Sequence, residues 1–216
     1  MPSKKKKKML EELKKEAEKM LEGRDPGHDF EHIMRVYRNA ELIGKRERVA
    51  DMDVLLASAL LHDLVVYPKG SSKRSKSSDD SADLAEKILK RHGWPEDKIE
   101  KVSYCIRTHS YSKGIVPASL EGKVLQDADR LDALGAIGIA RTFSVGGSEN
   151  RKFYNPDDPF CRQKGREPQD RMWTLDHFAA KLLKLHRTMH TRTAKKMAKK
   201  RIRFMKEFLR QMEKEI

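Results

Sequence analysis

The histidines and aspartates of this chain gather in three short patches, and these are the side chains whose types could do chemistry. The first is His28-Asp29-Phe30-Glu31-His32. The second is the doublet His62-Asp63, set in ALLHDL (59–64), and the third is DADRLD, Asp127 to Asp132. Each patch adjoins an apolar stretch of helical spacing, so part of each faces a protein interior. A buried charge or imidazole without a partner costs on the order of several kcal/mol. One divalent cation shared by the patches removes that cost, because it neutralises carboxylates that otherwise repel one another.

The elements that must position these patches read as helices. Met9, Leu10, Leu13, Ala17, Met20 and Leu21 form one stripe, broken by Gly23, Pro26 and Gly27. A second helix carries Phe30, Ile33, Tyr37 and Ala40 and ends near Gly44. A third, from Asp51 to about Leu64, is apolar nearly all round, as a helix at the centre of a bundle must be, with Asp51 as its N-cap. Tyr67 to Ser81 has no periodicity and reads as a mobile loop. Ala82, Ala85, Ile88 and Leu89 resume a helix that stops at His92-Gly93. Pro95 opens the next, with Ile99, Val102 and Ile106 inward. One long helix is expected from about Leu120 to Phe143, a second long loop from Ser144 to Arg171, and two basic helices after it. No alternating run suggests a sheet. The expected fold is all-α, a single-domain helical bundle: a basic amphipathic helix over 1–23, a catalytic domain over 24–188 and a basic C-terminal helix over 189–216.

Composition narrows the setting. Among 216 residues, 38% are hydrophobic and 37% charged, and the formal net charge is +14. Mean hydropathy is −0.79, and no apolar run approaches the ~20 residues that cross a bilayer, so no membrane partner is expected. Two cysteines, Cys105 and Cys161, make no disulfide framework, and the lysine-rich start lacks the apolar stretch of a secretory signal. A cytoplasmic location is the simplest expectation. The positive charge concentrates in Lys4–Lys8 and in the segment from Lys181 onward, which holds thirteen Lys and Arg against three Glu. Such runs attract polyanions, and weak nonspecific nucleic-acid binding is one reading; solvated helix faces are the other.

The patches, in their order, resemble the HD-domain phosphohydrolase superfamily, whose signature is H…HD…D on separate helices of a bundle. The likeness rests on GHDFEHIMRVYRNA (27–40), ALLHDL (59–64), IRTHS (106–110) and VLQDADRLDALGAIGIARTF (124–143). DHFAAKLLKL (176–185) extends it, so that it spans about residues 8–212 and is closest to a branch of small bacterial-type hydrolases. Carried over by motif, the metal ligands are His32, His62, Asp63 and Asp129. Two imidazoles and two carboxylates suit Mn, Fe, Co, Ni or Mg better than a closed structural zinc site. The resemblance implies a metal-dependent phosphohydrolase acting on nucleotides, releasing pyrophosphate from (d)NTPs or phosphate from (d)NMPs. An ion so held acidifies water and polarises a phosphoryl oxygen.

Further roles are assigned around that set. Asp63 both ligates and orients the water, and His109 resembles the family's pocket histidine, a candidate for proton donation and substrate contact. His28 is read as a substrate contact or a second-metal ligand, or else as a packing residue. Arg35 is read as a phosphate contact or as the partner of Asp63 or Asp127. Lys69, Lys73 and Arg74, in the loop after the doublet, could clamp phosphates. Arg130 is a substrate contact or a tie to another helix, and Lys181 is a weaker phosphate candidate. Several members of the family carry an acid two to four residues after the doublet. Here Val65, Val66 and Tyr67 follow Leu64, so the leaving-group proton must come from elsewhere. Three rivals remain. His28 to His32 fits the H-x-x-E-H pattern of inverted zinc peptidases, with Glu31 as base. The basic termini admit a nucleic-acid-associated protein with a regulatory or inactive pocket, although no stacking platform, zinc-finger spacing or RRM signature is present. A diiron oxygenase would need extra ligands from His28 or His109.

Overall fold

Three helices of this chain start on a side-chain cap, from Asp29, Asp51 and Thr191. The structure, a computed structural model, describes residues 4–24, 29–67 and 71–216, with side chains from Lys8 onward. The helices group into two compact units, residues 1–129 and 130–216.

In the first unit the central element is α3 (Met52–Leu61), one of the helices that follow α1 (Lys4–Met20) and α2 (Phe30–Glu47). The Asp51 side chain accepts a hydrogen bond from the Val54 N–H at 3.2 Å and so caps it. Every residue from Val54 to Leu61 is buried. That follows from its neighbours, since α1, α2, α4 (Ser77–Arg91) and α5 (Glu96–His109) all pack against it. Each buried leucine contributes roughly 1.5–3 kcal/mol. Lys98 of α5 reaches Asp51 and Asp53, both at 3.1 Å, and ties the start of α3 to its neighbour. Helix α6 (Leu120–Asp132) follows, and it carries Asp129.

The second unit contains α7 (Gly135–Ser148), the short α8 (Asp176–Ala180), a 3₁₀ stretch over Leu182–Thr188 and the long α9 (Arg192–Glu215). Phe143 meets Phe153 and Phe208 edge-on, and Phe178 stacks on Phe208. Among the described residues there is no strand, only an isolated bridge between Lys152 and Trp173. No described helix is long and apolar enough to cross a membrane.

The structure corrects the reading of the elements in three places. The helix expected over 120–143 is two helices. Leu134 is extended (φ −121°, ψ 156°), and Gly135 adopts φ +78°, a left-handed conformation that costs an L residue roughly 1–2 kcal/mol. Gly138 then passes so close to Ala133 that a Cβ there would lie 2.2 Å from its carbonyl oxygen. Apolar spacing continues across this turn, so periodicity does not reveal it. The segment read as a mobile loop over 67–81 becomes α4 at Ser77. Asp79 and Asp80 lie in its first turn, where carboxylates complement the helix dipole. Tyr67 is anchored there, its hydroxyl donating to Asp80 at 2.8 Å, and the Ser81 hydroxyl accepts from the Val65 N–H at 2.9 Å. Finally, α7 runs on to Ser148, into the stretch read as the second long loop.

The turn between α6 and α7 yields a paired expectation. Gly138→Ala should cost about 2 kcal/mol or more, because the neighbour that must move is backbone. The melting temperature should then fall by roughly 4–8 °C. Gly147→Ala, with nothing within 4 Å of its added Cβ, should leave the melting temperature unchanged or raise it slightly. Thermal unfolding followed by circular dichroism checks both.

Candidate metal centre

Four helices, α2, α3, α5 and α6, and the turn after α3 deliver the titratable groups to a single place within residues 1–129. Asp29 caps α2, its carboxylate accepting the His32 backbone N–H at 2.8 Å, which fixes the first turn that carries His32. His62 is the C-cap of α3, and Asp63 follows in the turn beyond it. Successive helical residues point about 100° apart, so a doublet inside a helix would diverge. Here the helix is ending, and His62 Nε2 lies 3.8 Å from Asp63 Oδ2. His109 is the last residue of α5.

The donor atoms converge. His32 Nε2 lies 3.7 Å from both Asp63 Oδ2 and Asp129 Oδ1, and His62 Nε2 lies 3.9 Å from Asp129 Oδ1. A divalent ion with bonds near ~2.1 Å sets adjacent donors about 3 Å apart and opposite donors about 4.2 Å apart. The observed separations fall between those limits. His62 Nε2 is buried with no hydrogen-bond partner among the described residues, while its Nδ1 lies 3.0 Å from the Ala59 carbonyl oxygen. That carbonyl can only accept, which places the proton on Nδ1 and turns the Nε2 lone pair into the cluster. A buried, orphaned lone pair facing two carboxylates fits a cation. His109 does the same at the end of α5, with Nδ1 2.6 Å from the Ile106 carbonyl and Nε2 3.4 Å from the other oxygen of Asp63, Oδ1.

Burial and charge pull these groups apart electrostatically. Burial pushes the His62 imidazole down to about 4, so it is neutral near pH 7 and able to ligate. Burial would raise the Asp63 carboxyl, but the adjacent His62 and contacts from His109 and His32 hold it well below the usual carboxylate range. For His109, burial favours the neutral ring, and the Asp63 carboxylate overcomes it and raises the pKa. The imidazoles of His32 and His62 are 1% and 0% exposed, whereas the Asp63 and Asp129 side chains are 18% and 26% exposed. The histidines therefore form the floor and the carboxylates line the open side, where a ligand would enter.

Other candidate residues fall elsewhere. Arg35 is half-buried on α2, three positions beyond His32, and Glu31 is exposed while His32 is buried, so the base of an H-x-x-E-H site is not presented alongside it. His28 and Lys69 lie outside the described residues. Arg74 donates to the Tyr67 carbonyl at 2.6 Å, which holds its guanidinium against the chain that follows the doublet. Lys73 is exposed. Within residues 130–216, Arg130 is buried and donates to the Thr188 carbonyl at 2.6 Å, the helix-tying role, and Lys181 is half-buried at the end of α8.

Sequence reasoning did not single out two amides that brace the site. Asn39 of α2 donates to the Ala128 carbonyl at 3.4 Å, next to Asp129. Gln126, fully buried one turn before Asp129, donates to the Thr108 and Ile115 carbonyls, both at 2.7 Å, and so holds the end of α5 that carries His109. An uncharged amide inside an apolar helical face is the signal that was available.

Adding Mn to about 100 times its Kd should stabilise the protein by about 2.7 kcal/mol. In differential scanning fluorimetry the melting temperature should rise by roughly 5–10 °C. His62→Gln and Asp129→Asn should abolish the rise. Gln126→Leu should cost about 1–3 kcal/mol in urea unfolding, because the buried Thr108 carbonyl and the Ile115 carbonyl lose their donor, while the metal-induced rise persists.

Known proteins resemble this chain in sequence and in fold. Residues 29–134 match the HD domain family model. The chain is 33% identical to YpgQ of Bacillus subtilis (strain 168) over 213 residues, 97% of this chain and 94% of YpgQ. The crystal structure of Bacillus subtilis YpgQ in complex with ADP superposes with a TM-score of 0.74 at 32% identity, covering 98% of this chain and 97% of that one. An HD-superfamily hydrolase from Bacillus thuringiensis gives 0.74 at 34% identity, with 97% of each chain covered. With its histidines and aspartates gathered at the ends and turns of an all-α bundle, the chain belongs to the HD-domain phosphohydrolase family.

Proposed function

We propose that this protein hydrolyses a phosphoester or phosphoanhydride bond of a nucleotide, with one divalent ion held by His32, His62, Asp63 and Asp129. The observation that carries this reading is the convergence of His32 Nε2, His62 Nε2, Asp63 Oδ2 and Asp129 Oδ1 at 3.7–3.9 Å across a floor whose carboxylate side is open. When bound, Mn or a similar ion supplies Lewis acidity toward a phosphoryl oxygen and acidifies a water. The nucleotide assignment draws support from the ADP complex of the Bacillus subtilis relative.

The chain's own groups divide the remaining work. Asp63 presents Oδ2 to the His32–His62 floor and Oδ1 to His109, so one carboxylate bridges the ligand cluster and a proton-carrying ring. That bridge orients a water against the bond to be cut. His109 Nδ1 is committed to Ile106, which leaves Nε2 as the atom that passes a proton toward the leaving group. This assignment fills the role of the acid that is absent after the doublet, where Leu64 is buried and Tyr67 is engaged with Asp80. Arg35, three positions beyond His32 on the same helix, is a candidate phosphate contact.

Metal-reconstituted protein incubated with nucleoside mono-, di- and triphosphates, with phosphate and pyrophosphate measured separately, tests the reading. Activity should require Mn, Fe, Co, Ni or Mg. Asp63→Asn should lower kcat by ~100-fold or more. His109→Gln should lower kcat while retaining metal. Full activity in Asp63→Asn, or none with any nucleotide in a metal-loaded wild type, would refute it.

A further inference from the structure

Helix α9 carries an array of charge that the hydrolytic centre does not use. Its inner face consists of Ala194, Ala198, Ile202 and Met205, all buried. On the opposite side Arg192, Lys195, Lys196, Lys199, Lys200, Arg203, Lys206 and Arg210 are exposed. At 100° per residue these eight fall within an arc of about 140°, and they extend over about 27 Å at 1.5 Å per residue. Neighbours three and four apart stand roughly 5–6 Å from one another.

These cations are uncompensated. Among the described residues no carboxylate pairs with any of the eight. Of the acids on α9, Glu213 is taken by Arg162, Glu215 accepts from Gln211, and Glu207 lies within the basic arc, toward its edge. Like charges one turn apart destabilise a helix by a few tenths of a kcal/mol per pair, so a fold that needed only solubility would gain by interspersing glutamates, as α1 does with Lys8 and Glu12.

We propose that this face binds the phosphate backbone of duplex nucleic acid without reading sequence. A duplex presents one negative charge per ~1.7 Å of its axis, on a rigid rod long enough to engage the whole stripe. The arc contains no aromatic ring on which unpaired bases would stack and no asparagine or glutamine to read base edges. A membrane surface fits less well. Helices that bind lipid embed their apolar side, and here that side is packed within the protein.

The test is fluorescence anisotropy of a labelled duplex titrated with the full-length protein at several KCl concentrations. Binding is expected at ~50 mM KCl, weakening on a log–log plot with a slope of about −4 or steeper. The variant Lys196→Gln/Lys199→Gln/Arg203→Gln/Lys206→Gln should bind at least ~10-fold more weakly, with a slope shallower by about 3. It should keep the wild-type circular dichroism spectrum and hydrolytic rate. Replacing Lys5 to Lys8 by Gln, an equal loss of charge, should change the affinity far less. Three results would overturn the proposal: no binding at ~50 µM protein, a larger loss from the Lys5–Lys8 variant than from the α9 variant, or tighter binding to a single strand or to phosphatidylserine vesicles than to the duplex.

Discussion

The charge balance around Asp63 is the constraint on which the first unit depends. One carboxylate meets three imidazoles, and a second carboxylate, Asp129, meets two of them. All of this happens beside a core in which α3 is buried from Val54 to Leu61. Such a cluster is tolerable only when every lone pair and proton has a destination. The lone pair of His62 Nε2 has none among the described residues, and it faces donors that could hold a cation.

Helix ends solve the orientation problem. The last carbonyls of a helix have no intrahelical donor, and a histidine at the C-terminus can supply one. His62 and His109 both do so, each ring turning Nδ1 to the carbonyl three residues back, Ala59 and Ile106. The same bond that satisfies the helix thereby selects the tautomer that the site requires. His186, near the end of a 3₁₀ stretch in the second unit, bonds Leu183 in the same way and belongs to no ligand cluster among the described residues. The capping device is therefore general, and what sets His62 and His109 apart is that both converge on Asp63, with His32 and Asp129 beside His62.

The second unit spends its polar residues differently. Arg166 joins the buried carboxylates of Asp158 and Asp176, and Arg141 pairs with buried Asp132, so these three interior carboxylates are matched within the unit. The surplus charge of the chain is displaced to the outer face of α9. Interior pairing and exterior surplus separate because desolvation penalises an unmatched charge only where water is excluded.

Much of this was legible in the residues. The apolar run of α3, the Asp51 cap, the stop at His92-Gly93 and the opening at Pro95 follow from local rules, and the structure has each of them. The order of the His and Asp patches carried the family and the candidate ligands, because those residue types have few other reasons to adjoin buried helices. Tertiary structure alone decided the rest. It broke the stretch over 120–143 at Gly135, where the backbone conformation, not the apolar spacing, sets the limit. It turned the presumed loop over 77–81 into a helical start, because serines and aspartates serve both loops and first turns. It set both atoms of the Asp63 carboxylate to different tasks, and it recruited Asn39 and Gln126 as braces. Residue type determines which groups can bind a cation. Which of them share one is a matter of distances between helices, and those exist only once the helices pack.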